Sequence, residues 1–163
     1  DGWVWAPGGI PSVWSLPAWL DGNRWESEDG PSRKLLAQGE GWEQPCVWLD
    51  DSRVAIWNVG NWDDDGFGDC LHAPGVVIFD IHAPVPEEGH AGQLWPMPGL
   101  PPARHLHCVR GRLLVVGEGQ GWLWDVPTRE LLCHWPDFAP QGWHAQRGEL
   151  IEWSAQQIKI LTP

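Results

Sequence analysis

The stretch NWDDDGFGD, from Asn61 to Asp69, places oxygen-bearing side chains at alternate positions: Asn61, Asp63, Asp65 and Asp69. Alternation turns every second side chain inward, as a loop wrapped around a hard cation requires, and calcium takes carboxylate, amide and carbonyl oxygens of this kind. Gly66 permits a sharp turn, and the Phe67 carbonyl offers one more oxygen. These four side chains are candidate calcium ligands, in a chain otherwise expected to need no cofactor. The same residue types also build a solvated acidic hairpin tip, because Asp, Asn and Gly favour turns for conformational reasons.

Other candidates are weaker. His105 and His107 stand two apart in an extended run, so both point to one face, with Cys108 opposite. His144, in a later run of the same kind, is the candidate third ligand of a zinc site. Hydrogen bonding between neighbouring strands is the simpler role for all three. There is no Gly–x–Ser–x–Gly elbow and no His–Glu–x–x–His pair. GEGQGW, Gly117 to Trp122, resembles a nucleotide loop only superficially, since strands flank it and no helix follows. A non-catalytic protein is expected.

Fifteen Trp and no Tyr are unusual for 163 residues. Trp48, Trp57, Trp124 and Trp153 fall inside extended runs and are expected in the core. Trp19, Trp25, Trp62 and Trp95 fall in loops or at run ends, as do Trp42, Trp135 and Trp143. The first four are the candidate partner-binding residues, because exposed Trp is a common interface anchor and also a platform for sugar rings.

The elements that must position these residues are strands. Gly 20 and Pro 16 interrupt the chain too often for long helices, and short β-favouring runs bounded by turn residues recur throughout. The clearest series starts at His105: HLHCV, RLLVVGE, GWLWDV and ELLCHW, joined at RG, GQ and PTR. GWHAQ, ELIEWSA and IKILTP repeat its first three members. PCVWLDDSRVAIWNV, GVVIFDI and GQLWPM supply another set of four, and GWVWAPGG, PSVWSLP and SRKLLAQG read as second to fourth strands. The third strands align on Trp14, Phe79, Trp124 and Ile160. Longer segments at Pro17–Ser32, Gly60–Pro74 and Ala83–Gly92 are insertions.

A four-stranded unit repeating at about 40 residues is the pattern of a β-propeller blade. RLLVVGEGQGWLWDVPTRELL resembles a WD-repeat blade, with Trp124–Asp125 closing its third strand and Phe79–Asp80 in the equivalent place. The Gly–His pair usual before the first strand of that family is missing at His105. NWDDDGFGD is similar to the calcium loops of FG-GAP propeller repeats, with Asn in place of their first Asp. The expected fold is therefore all-β, a single propeller segment of approximate blades 1–40, 41–99, 100–137 and 138–163. It resembles the C-terminal half of a larger ring; a closed four-bladed ring is the alternative.

The resemblance implies a scaffold for protein–protein contact, whose first partner is the missing half of the propeller. A calcium- or glycan-binding module is the alternative. A net charge of -12 repels nucleic acid and anionic membrane, and points to a basic partner. No apolar run is long enough for a membrane helix. Cys46, Cys70, Cys108 and Cys133 lack paired spacing, which suggests free thiols and a reducing, cytoplasmic setting. A calcium loop predicts that calcium at 100 times its Kd adds about 2.7 kcal/mol of stability. Thermal melts in calcium and in chelator check this, and Asp63→Ala with Asp65→Ala is expected to abolish the difference.

Overall fold

A computed structural model describes residues 3–6, 12–15, 33–34, 45–58, 73–84, 92–144 and 146–162. Fourteen strands are present among them: β1 (Trp3–Ala6), β2 (Ser12–Ser15), β3 (Arg33–Lys34), β4 (Cys46–Trp48), β5 (Arg53–Asn58), β6 (Gly75–Asp80) and β7 (Gln93–Pro96) come first. β8 (His105–Val109), β9 (Arg112–Gly117), β10 (Gln120–Asp125), β11 (Leu131–Trp135), β12 (Gly142–His144), β13 (Glu149–Trp153) and β14 (Ile158–Leu161) follow. The described residues contain no helix. The protein is all-β, and every expected run contains strand, PCVWLDDSRVAIWNV holding two, β4 and β5.

The strands form four antiparallel sheets in chain order: β1–β2–β3, β4–β5–β6–β7, β8–β9–β10–β11 and β12–β13–β14. Tight turns explain the sequential pairing. Arg110 and Gly111 between β8 and β9 both have positive φ, at 53° and 75°, as do Glu118 and Gly119 between β9 and β10, at 48° and 80°. Two positive values in a two-residue loop match the twist of the flanking strands. The second turn is thus Glu118–Gly119, one residue earlier than the GQ expected from sequence, and Gln120 already belongs to β10. Asp125 and Asp80 end their strands by accepting hydrogen bonds from the turns that follow. Asp125 Oδ2 takes the Thr128 N–H at 3.0 Å and its hydroxyl at 2.8 Å; Asp80 Oδ1 takes the His82 N–H at 2.8 Å.

Side-chain alternation then sorts β9 into two layers. Leu113 and Val115 join a cluster with Ala55, Trp57, Val76 and Trp95 of the preceding sheet. Leu114 and Val116 join another with Leu150 of the following sheet, against which Trp143 and Leu161 also pack. β9 is therefore buried on both faces. Two polar contacts and one aromatic contact tie the β8–β11 sheet to the preceding sheet. The Cys108 thiol donates to the Leu49 carbonyl at 3.6 Å, the Arg129 guanidinium lies 5.7 Å from the Trp95 ring, and Trp95 meets Trp124 edge-on at 5.8 Å.

Pairing also corrects the repeat alignment. Phe79 faces Val54, Trp124 faces Leu113, and Leu161 faces Leu150. Leu161, not Ile160, is the equivalent of Trp124, and the one-residue shift exchanges which side chains of β14 face the core.

Removing Leu114, fully buried between two sheets, is expected to cost about 2–5 kcal/mol as Leu114→Ala. Leu131→Ala, at an exposed position on β11, is expected to stay within about 0.5 kcal/mol. Chemical denaturation of the two variants side by side checks the layer assignment.

Candidate functional site

The last two sheets leave a cleft of about 400 Å³ beside their contact. The β9–β10 hairpin forms one wall, through Gly117, Glu118 and Gly119, and Arg104 and His105 enter at the start of β8. The opposite wall is Gln141, the end of β13 and the start of β14. Gly117 has a steric role here, since a Cβ would come within 2.5 Å of the Pro102 carbonyl oxygen. The same crossing segment pairs with the sheet, the Arg104 N–H donating to the Val116 carbonyl at 2.7 Å.

Several polar groups of the cleft hold its frame. Glu152 accepts the Ala139 N–H at 2.9 Å and pairs with Lys159 Nζ at 2.8 Å. Burial pushes the Glu152 carboxyl up. Hydrogen bonds from Lys159 and from the Ala139 N–H, with the Lys159 charge, outweigh it and hold the group below the ordinary 4.5. Gln141 bonds the Trp153 backbone twice: its Oε1 accepts the N–H at 2.8 Å and its Nε2 donates to the carbonyl at 3.3 Å. Trp153 lines the cleft and stands 51% exposed, although its place inside a strand predicted burial. The reason is register. Leu150 points to the preceding sheet, so Trp153, three residues on, points away from it.

His105 and His107 share a face as expected, their rings 6.3 Å apart and inclined by 29°. His144 does not join them. Its neighbour Trp143 packs toward the β8–β11 sheet, so His144 lies on the opposite face of its own sheet, where its Nδ1 accepts the Arg147 N–H at 3.4 Å. No cluster of three His, Cys, Asp or Glu suited to a metal occurs among the described residues. The candidate calcium ligands Asn61, Asp63, Asp65 and Asp69 lie outside the described residues, as do Trp19, Trp25, Trp62 and Cys70. Cys108 and Cys133 are free thiols.

Trp95, expected at a partner surface, is only 4% exposed and packs in the core. β7 pairs with β6 so that Trp95 faces Val76, and both side chains turn to the next sheet. Trp135 and Trp143, expected in loops or at strand ends, pack on the second cluster. What sequence reading missed is the exposed set Trp153, Ile158 and Ile160. Its signal was present in the alternation of ELIEW and IKIL, but the misaligned β14 register hid it.

No family model, curated protein or solved structure matches this chain. Its class is accordingly defined by architecture, as an all-β protein of consecutive antiparallel sheets. No helix among the described residues is long and apolar enough to cross a membrane.

His107 Nε2 is buried with no hydrogen-bond partner among the described residues. Burial, then the His105 charge, lowers the His107 pKa below the ordinary 6.5. The unfolded chain therefore takes up this proton first as pH falls. Stability is unaffected by this group above pH 6.5 and declines below it, by at most about 1.4 kcal/mol per pH unit, until the folded-state pKa is also passed. Denaturation of wild type and His107→Leu from pH 7.5 to 5.5 is expected to show a steeper decline in the wild type.

Proposed function

We propose that this chain is a non-catalytic scaffold built as a WD-repeat-like propeller segment, and that it works by protein–protein contact. The observation that carries this reading is the outer face of the β12–β14 sheet. Trp153, Ile158 and Ile160 stand there 51%, 69% and 61% exposed. Pairing sets them side by side, because Trp153 is opposite Ile158, and Ile151 is opposite Ile160. Grouped large apolar side chains on a surface mark an interaction site, whereas scattered ones do not.

The stacking of the sheets supports the propeller reading. The first strands β4, β8 and β12 adjoin in succession, and each of the two four-stranded sheets packs its second and third strands on the next. Aspartates at the ends of β6 and β10 each accept a backbone N–H from the turn that follows. A compartment that keeps thiols reduced suits the free Cys108 and Cys133.

A photo-cross-linking residue at Ile158 tests this function in cells that express the protein. The expected result is a covalent adduct of defined mass with a protein, absent when the same residue replaces the solvent-facing Pro127. No adduct at either position overturns the reading.

A further inference from the structure

Four polar side chains on the walls of the cleft between the last two sheets take no part in its frame. Glu152 is fully engaged, with Oε1 on the Ala139 N–H and Oε2 on Lys159 Nζ. The Gln141 amide uses both of its groups on the Trp153 backbone. The Ser154 hydroxyl closes the β13–β14 turn. It accepts the Gln156 and Gln157 N–H groups at 3.3 and 3.2 Å and donates to the Gln157 carbonyl at 3.4 Å. The Arg104 guanidinium, the His105 imidazole, the Glu118 carboxylate and the Gln157 side-chain amide make no hydrogen bond or ion pair with any described residue.

The backbone fixes where these four stand. Arg104 and His105 open β8, where the Arg104 N–H is tied to the Val116 carbonyl at 2.7 Å. The His105 ring is further set against that of His107. Glu118 occupies the two-residue turn between β9 and β10, so the first three belong to one wall. Gln157 stands on the opposite wall, in the turn that Ser154 holds. Donors and acceptors from two sheets therefore face one space of about 400 Å³, a volume within the range of small-molecule sites.

The charges of the cleft cancel in pairs. Lys159 neutralises Glu152 by direct contact, and Arg104 balances Glu118 in sign. A simple anion would meet Glu118 and the net charge of -12, and a simple cation would meet Arg104. An apolar ligand would take Arg104 and Glu118 out of water and replace none of their hydrogen bonds. Hydroxyl groups suit all four side chains, because each hydroxyl both donates and accepts. One can donate to Glu118 and another accept from Arg104, while the Gln157 amide and the His105 imidazole offer both roles. We propose that this cleft is a binding site for an uncharged sugar. The inference is independent of the scaffold reading, since it uses only the contact between the last two sheets.

Saturation-transfer NMR on the full chain tests this, with maltose, cellobiose, lactose and N,N′-diacetylchitobiose as probes. At least one is expected to bind with a Kd of about 1 mM or tighter. Glu118→Asn removes the carboxylate and suits the positive φ of the turn, and it is expected to weaken binding about tenfold. Gln157→Ala is expected to weaken it severalfold. Leu131→Ala, on β11 outside the cleft, is expected to leave binding unchanged. Glu118 and Gln157 are both exposed, so circular dichroism is expected to keep the strand signal in each variant.

Binding of none of the four sugars overturns the inference. So does binding that both cleft variants leave unchanged, which places the sugar elsewhere. Inorganic phosphate and glycine are titrated alongside, and tighter binding of either than of every sugar overturns the uncharged class. None of these outcomes bears on the Ile158 cross-link, which tests the scaffold function separately.

Discussion

The central strands of this protein are apolar on both faces, and the architecture follows from that constraint. VAIW in β5 and LLVV in β9 leave no side chain for solvent, so each strand must lie in a sheet covered above and below. A single two-layer sandwich cannot satisfy them, because its sheets each expose one face. A stack of consecutive sheets can. The β8–β11 sheet buries one face of its central strands on its predecessor and the other on its successor, and the short turns keep its strands together before the chain moves on.

The β12–β14 sheet differs from the two before it in what its outer face leaves exposed. On β13, Glu152 stands where β9 has Val115, on the face turned to the preceding sheet, and it is tied to Lys159 and to the Ala139 backbone. Ile151 and Trp153, with Ile158 and Ile160 across the pair, keep the apolar character of an internal sheet. Apolar area of this kind gains free energy when it is removed from water. The cleft beside Gln141 belongs to the same end of the molecule, where a structural frame of Gln141 and Glu152 holds the Trp153 strand in place.

Much of the fold was legible before any coordinates. Every expected run contains strand, because Gly, Pro and Asp mark the turns and β-branched or aromatic residues fill the spaces between them. The candidate site was less legible. Trp95 was expected at a run end and a partner surface, yet pairing with β6 carried it into the core. Trp153 looked like core and is exposed. His144 looked available to His105 and His107 and lies on the other face of its sheet. In all three cases the residue type was read correctly and the face was not.

That difference separates what each level determines. Local sequence sets strand, turn and alternation, because these depend on backbone conformation and on neighbours within a few residues. Positive φ at Arg110–Gly111 and the Asp125–Thr128 contact are decided there. Which of two apolar faces is buried is not a local property. It depends on the register between strands, where a shift of one residue exchanges the faces, and on whether another sheet lies opposite. Only the tertiary structure shows that Leu161, not Ile160, points to the core, and that Ile158 and Ile160 face outward and stand exposed.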